Sequence, residues 1–174
     1  QLLREFDAQQ YMFYVIVCPS LKGIRVETID LNMENTHAIT RNKAQMLAVF
    51  AVYDVLTYIS MNAEVDVEDI ISGIAERPYE ECDNYIKTAV LEVIKHINDI
   101  IPVYNDHMNK WTFDRLNRVE QAILLVAYTQ FHYIDKDIDK RIVIDVAIKL
   151  TKTYCAPNDY KFVNAILDKV LVRE

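Results

Sequence analysis

Glycine and proline are scarce in this chain, with two glycines and four prolines among 174 residues. Turn-rich all-β folds need many residues of both kinds, whereas long helices with short connections need few. Two glycines also cannot build the glycine-rich loop that holds phosphates in nucleotide-binding enzymes. The composition therefore favours a single all-α domain, with 52% hydrophobic residues to form its core.

Cysteine and histidine show no spacing that is typical of a metal site. Cys18, Cys82 and Cys155 are far apart, and no Cys-x-x-Cys pair occurs. None of the four histidines stands four residues from another histidine or from a cysteine. No grouping of Ser, Cys and His suggests a nucleophile. We predict reduced thiols, no metal, no cofactor and no enzymatic activity.

Basic residues are outnumbered, with 19 Lys and Arg against 26 Asp and Glu, a net charge of −7. A strong autonomous nucleic-acid binder usually has a broad basic face. Any RNA contact must therefore come from a local patch, or from a basic partner that completes the surface. No apolar run approaches the roughly 20 residues that span a bilayer. We expect a cytoplasmic protein with no membrane contact.

Residues 1–32 differ in character from the rest of the chain. Tyr11–Cys18 has the aromatic and β-branched residues of a strand, and Ile24–Asp30 alternates between apolar and polar residues. Lys22-Gly23 could join the two strands as a hairpin. We predict a short hairpin-like extension of uncertain origin over 1–32, followed by a helical domain over 33–174.

Helical periodicity begins at Thr36, where Asn35 or Thr36 can cap the first helix. Met46, Val49, Phe50 and Tyr53 recur at i, i+3, i+4 and i+7, which predicts that they lie on one face of this helix. The sequence predicts a compact bundle of about seven helices: 36–61, 67–75, 79–98, 103–108, one starting at 112 or 114, 139–154, and one starting after 157.

Three features of the sequence refine the predicted helix bounds and packing. Pro102 should end the third helix, because proline removes a helical hydrogen bond and clashes with the preceding turn. Trp111 should anchor the bundle. Leu124 and Leu125 widen the apolar stripe of the fifth helix nearly all the way round, which indicates a helix enclosed by its neighbours.

The last third of the chain carries a recognisable pattern. It runs through Trp111, Arg115-Leu116, Val119-Glu120, Ala122-Ile-Leu and Ala127-Tyr128, then Ile144–Lys152, and ends in Lys161-Phe-Val-Asn-Ala-Ile-Leu-Asp. In order and spacing it resembles the NusB family of transcription antitermination and ribosomal RNA synthesis factors. The resemblance covers about residues 37–172 and implies an all-α NusB-like bundle. It also implies binding of single-stranded boxA RNA within the RNA polymerase antitermination complex, together with a small-subunit ribosomal protein called NusE.

The resemblance also implies site residues. The RNA contacts would come from the start of the first helix and from the loop and start of the last helix. The contact with the ribosomal protein would come from the first helix and the fifth. The implied RNA-binding residues are Arg41, Lys43, Asn158, Tyr160, Lys161 and Phe162, and the implied partner-binding residues are Phe50 and Glu120.

Physical chemistry supports some of these roles and offers plainer ones. A helix N-terminus attracts phosphate, and an exposed Tyr160 could stack on an unpaired base. Arg41 and Lys43 could equally be ordinary surface charges, and Phe162 a packing residue. Family members open the first helix with an arginine-rich stretch, whereas this chain has only His37, Arg41 and Lys43 there. The sequence therefore predicts weak intrinsic RNA affinity.

Two other functions stay open on the sequence alone. One is a NusB-like protein-interaction module that does not bind RNA, which the sparse basic residues favour. The other is the accessory domain of a ribosomal RNA methyltransferase, since NusB-like domains precede some of those catalytic domains. The sequence leaves the choice between monomer and homodimer open.

Overall fold

The computed structural model describes residues 39–109 and 111–173, and the backbone of residues 24–25. Within these residues the fold is all-α, as predicted, with six α-helices and one two-residue parallel strand pair. The helices are α1 (Arg41–Ser60), α2 (Val67–Ala75), α3 (Asn84–His107), α4 (Arg118–Thr129), α5 (Lys140–Tyr154) and α6 (Asp159–Val170). The strands are β1 (Ile24–Arg25) and β2 (Val65–Asp66).

Helix α4 forms the centre of the bundle. Every residue from Ala122 to Ala127 is buried, and the helix packs against α1, α3, α5 and α6. Full burial of a leucine side chain contributes about 1.5–3 kcal/mol, so Leu124 and Leu125 are major contributors to stability. The predicted enclosure of this helix is confirmed. A π-helical turn, Gln130–Ile134, continues α4 toward the loop before α5.

Side-chain caps fix the starts of several helices. Asp66 Oδ1 accepts a hydrogen bond from the Asp69 amide at 3.0 Å, and α2 has the predicted bounds. Asp139 Oδ1 accepts from the Arg141 amide at 2.8 Å at the start of α5. Such caps occupy backbone N–H groups that have no partner within the helix. The bounds predicted for α5 are confirmed to within one residue.

The apolar face predicted for α1 is only partly buried. The helix begins after Thr40, which takes the capping role predicted for residues 35 or 36, positions outside the described residues. Of the predicted face only Val49 is buried; Met46 and Phe50 are half-buried and Tyr53 is 37% exposed. Small residues face α3 and α4 instead, because they allow the helix axes to approach closely. They include Ala44, Ala48, Ala51, Val52 and Val55.

The predicted break at Pro102 was also wrong. Helix α3 continues through Pro102 to His107, and the proline lies on the exposed side of the helix. Ile100 and Tyr104, on either side of it, are fully buried. Packing of these two residues therefore holds the helix together where the local preference of proline would end it.

Trp111 does not anchor the bundle, since it is 58% exposed. Phe113 takes that role in a short 3-10 turn, Phe113–Arg115, that precedes α4. Its ring stacks on that of Tyr104 with 5.5 Å between centroids, and its amide donates to Asn105 Oδ1 at 2.7 Å. The connection between α3 and α4 is thus fixed by one aromatic contact and one side-chain hydrogen bond.

The predicted hairpin is only partly within the described residues, because its first strand, 11–18, lies outside them. Ile24–Arg25 pairs in parallel with Val65–Asp66, in the loop between α1 and α2. This pairing places Ile24–Arg25 beside the start of α2. The division of the chain at residue 33 stays a prediction. None of the described helices is long and apolar enough to cross a membrane.

Tyr104 supplies a test of the core. Its buried hydroxyl donates to the Leu124 carbonyl oxygen at 2.7 Å, which ties α3 to α4. We expect Tyr104→Phe to lower the free energy of unfolding by about 0.5–1.5 kcal/mol, the contribution of one such hydrogen bond. Urea unfolding monitored by circular dichroism measures this. Tyr53→Phe, at an exposed position, is the control and should change little; equal effects of the two changes would contradict the assignment.

Candidate nucleic-acid interface

The start of α1 carries two of the implied RNA contacts. Thr40 Oγ1 accepts from the Lys43 amide at 3.4 Å, and the first turn has no acidic residue. Arg41 and Lys43 are exposed. Cations next to a helix N-terminus oppose the helix dipole, so their presence does not serve the stability of α1. They leave a positive surface beside free N–H groups, a combination that suits phosphate.

Arg41 and Lys43 project from different sides of α1. At about 100° per residue they lie about 160° apart around the helix. Arg41 lies on the core side, where its guanidinium carbon is 4.0 Å from the ring centroid of Tyr85, near the start of α3. Lys43 lies on the outward side together with Met46 and Phe50. The Tyr85 ring therefore holds Arg41 at the surface in a fixed position, a role that the sequence did not reveal.

The start of α6 carries the other four implied RNA contacts. Asn158 and Lys161 are exposed, whereas Tyr160 and Phe162 are half-buried. Phe162 packs against the core, the plainer role considered for it. Lys152 Nζ of α5 lies 4.5 Å from the centroid of the Tyr160 ring, a second cation at this end of the bundle. Lys152 was missed by sequence analysis because it lies on a different helix from Tyr160.

The two groups of implied RNA contacts lie at opposite ends of α4. Arg118, at the start of α4, donates to the Leu56 carbonyl oxygen in the last third of α1, so the two helices are antiparallel. The start of α1 therefore lies near the end of α4, while Glu120 places the start of α6 near the beginning of α4. The two groups of contacts are therefore separate regions of the surface, with the contact between Met46 and Tyr154 lying between them.

An aromatic patch lies between them, formed by Met46, Phe50, Tyr53 and Tyr154. The Phe50 and Tyr154 rings meet edge-on with centroids 5.2 Å apart, and the Tyr154 hydroxyl donates to Met46 Sδ at 3.3 Å. Tyr154 is 42% exposed. This aromatic patch includes three of the four residues of α1 that the periodicity places on one face. Aromatic side chains that are partly exposed and already ordered are typical of protein interfaces.

Glu120, the other implied partner contact, is 6% exposed rather than free at the surface. Its backbone amide donates a hydrogen bond to Asn117 Oδ1, the N-cap of α4, at 2.9 Å. Its carboxyl contacts that of Asp159, the first residue of α6. Burial, and next the charge of Asp159, raise the pKa of Glu120 from 4.5 to about 7. Glu120 therefore keeps its proton over much of the acidic range and can donate it to the Asp159 carboxylate.

Two groups lie next to the acidic pair of Glu120 and Asp159: the Ala156 amide and the Cys155 thiol. Asp159 Oδ2 also accepts from the Ala156 amide at 2.9 Å, which closes the loop before α6. Cys155, at the end of α5, lies close enough that burial and the two carboxylates raise its pKa to about 11. The acidic pair thus joins the starts of α4 and α6 beside the end of α5. Among the described residues, no three His, Cys, Asp or Glu side chains form a group that could hold a metal ion.

Comparisons with known proteins identify the family of this chain. The model of the NusB family matches residues 42–172. The transcription antitermination protein NusB of Oceanobacillus iheyensis is 33% identical over 133 residues, which cover 76% of this chain and 99% of that protein. The NusB of Finegoldia magna is 28% identical over 137 residues, which cover 78% and 96%.

Solved structures share the fold. A structure of T. maritima NusB superposes with a TM-score of 0.65 at 23% identity and covers 78% of this chain and 92% of that one. A chain in a crystal structure of a plectonemic RNA supercoil gives a TM-score of 0.61 at 22% identity, with 75% and 94% covered. The six-helix bundle is therefore of the class that NusB proteins adopt. The match over 42–172 and the relative at 33% identity go further, and the chain belongs to the NusB family.

The acidic pair generates a pH dependence of stability. Because the pKa of Glu120 is higher in the folded state, about 7, than its ordinary 4.5, folding takes up a proton between these values. The free energy of unfolding should therefore fall as the pH rises from about 4.5 to about 7. We expect Glu120→Gln to remove this fall, so that the variant gains stability relative to the parent between pH 5 and pH 8.

Urea unfolding at pH 5, 6, 7 and 8 measures the difference. Glu64→Gln is the control, because Glu64 is exposed on the loop before α2. An equal pH profile for Glu120→Gln and the parent would show that Glu120 is ionised throughout.

Proposed function

We propose that this chain is a transcription antitermination factor that binds boxA-type single-stranded RNA together with the small-subunit ribosomal protein NusE. Membership of the NusB family over residues 42–172 carries this proposal. In this role the protein is an adaptor in the RNA polymerase antitermination complex, acts in the cytoplasm and performs no catalytic step. The same adaptor would support the synthesis of ribosomal RNA.

The separation of the two basic groups suits a strand rather than a compact ligand. RNA that touches Arg41 and Lys43 must pass Met46 and Tyr154 before it meets Asn158, Tyr160 and Lys161. Acidic residues outnumber basic ones in this chain, 26 to 19, so phosphate contacts supply limited affinity. A basic partner seated on the aromatic patch between the two groups would add the missing positive charge. The acidic pair of Glu120 and Asp159 offers that partner a complementary charge.

A first experiment measures RNA binding by fluorescence anisotropy, with a boxA-like single strand and with or without NusE. We expect weak binding alone and clear binding with the partner. Arg41→Ala with Lys43→Ala should weaken the ternary complex and lower the salt slope by about 0.7 per lost phosphate contact. The matched control is Lys95→Ala with Lys149→Ala, which removes the same charge elsewhere. If the complex with NusE shows no RNA binding at low salt, the protein is an interaction module that does not bind RNA.

A second experiment addresses the partner surface. We expect Phe50→Ala to weaken NusE binding about tenfold or more, because truncation of an aromatic residue central to an interface costs about 2 kcal/mol or more. Tyr154→Ala should have a similar effect, since its ring supports Phe50. Tyr58→Ala is the control, as Tyr58 is comparably exposed near the other end of α1. Isothermal titration calorimetry measures the affinity, and equal losses for Tyr58 and Phe50 would contradict the assignment.

A further inference from the structure

A basic cleft opens near the end of the bundle where α3, the π-helical turn and α6 terminate. Its volume is about 710 Å³, within the range of small-ligand sites. Lys136, Lys169, Arg173, His107 and His132 line it, and no Asp or Glu does so among the residues that the structure describes. A cleft with this lining is unexpected in a chain of net charge −7.

Helix termini explain only part of this charge. Cations are favourable near the C-terminus of a helix, which accounts for Lys169 in the last turn of α6 and His107 in the last turn of α3. Lys136 lies two residues after the π-helical turn, outside its last turn. Neither Lys136 nor Lys169 makes an ion pair with another described residue. Two exposed ammonium groups are therefore available to an anion.

Arg173, in contrast, is already engaged. Its guanidinium carbon lies 4.0 Å from the ring centroid of Phe131. One of its nitrogens donates to the carbonyl oxygens of Phe131, Asp135 and Ile138 at 3.4, 3.2 and 3.0 Å. Arg173 thus closes the π-helical turn and fixes one wall of the cleft. Its charge adds to the positive potential of the cleft. Because the Arg173 side chain is already held in place, it loses little conformational entropy when a ligand binds.

Another wall is aromatic. The Tyr128 and His132 rings are in tilted contact, with 4.2 Å between ring centroids and 32° between their planes, and both are half-buried. His132 Nε2 lies 3.3 Å from the Val170 carbonyl oxygen, which fixes the imidazole against α6. Burial lowers the pKa of His132, so the ring is mainly neutral near pH 7. Rigid aromatic faces beside cations are the combination that holds a nucleotide, since a base can stack and a phosphate can pair.

We propose that this cleft is a second nucleotide site, which takes the phosphate at Lys136 and Lys169 and the base against Tyr128 and His132. It lies about 16 Å along α6 from the contacts at the start of that helix. The ligand is a phosphorylated nucleotide, either free or as one unit of an RNA strand that continues along α6. The site does not depend on RNA binding at Arg41, Lys43 or Lys161.

Amide chemical shifts of the full chain, titrated with uridine monophosphate, test this site. We expect shifts in residues 131–136 and 169–173, with uridine and inorganic phosphate each binding at least about tenfold more weakly, since each lacks one half of the recognition. Lys136→Gln with Lys169→Gln should weaken the nucleotide about tenfold or more through loss of two charge-assisted contacts. Lys95→Gln with Lys149→Gln, which removes the same charge elsewhere, should change affinity by less than about twofold.

Three results would overturn the proposal: shifts outside the cleft only, equal binding of phosphate and nucleotide, or equal losses in the two double variants. A twelve-nucleotide oligouridylate then separates the two sources of the ligand. Cleft shifts that appear with the oligomer and disappear in Lys136→Gln with Lys169→Gln identify a unit of a strand; shifts with the mononucleotide alone identify a free nucleotide. Arg41→Gln with Lys43→Gln should leave the mononucleotide result unchanged, so failure of the main RNA site is distinguishable from failure of this one.

Discussion

The burial of α4 on all sides is the constraint on which the rest of the structure depends. A helix whose residues Ala122–Ala127 are all buried needs neighbours around its whole circumference, and α1, α3, α5 and α6 supply them. Each neighbour turns its closest-packing face toward α4 and leaves its other face for solvent or for partners. The face of each helix that packs against α4 therefore determines which side chains are left at the protein surface.

Helix α1 shows this selection most clearly. Its apolar residues occur on nearly every side, so the sequence periodicity cannot say which side is buried. Close packing against α3 and α4 favours the alanines and small valines, and the larger Met46, Phe50 and Tyr53 are left outward. The same choice places Lys43 beside Phe50 and turns Arg41 toward Tyr85. The interface features of α1 thus follow from packing rather than from hydrophobicity alone.

Much of the fold could be predicted because several elements have strong local signals. Asp66 and Asp139 each cap the helix that follows them. The apolar stripe of α6, with Val163, Ile166 and Leu167 at its centre, is the face that is buried. Local signals failed where tertiary packing opposed them. Pro102 stays inside α3 because Ile100 and Tyr104 are locked in the core, and Phe113 rather than Trp111 fills the space beside Tyr104.

The candidate site was less predictable, for a related reason. The family resemblance selects Arg41, Glu120 and Tyr160, but each of them is oriented by a residue far away in the sequence: Tyr85, Asp159 and Lys152 respectively. No periodicity reports such contacts. The roles of the eight implied site residues stay predictions, while their surroundings are now defined in physical terms.

The acidic pair of Glu120 and Asp159 connects the fold to the proposed function. Two carboxyls in contact repel each other when both are ionised, so protonation of Glu120 stabilises the junction of α4 and α6. An arginine or lysine of a basic partner that reached the pair would favour ionisation of Glu120 and release its proton. Partner binding would then exchange a proton for a cation at the start of α6, beside Asn158 and Lys161.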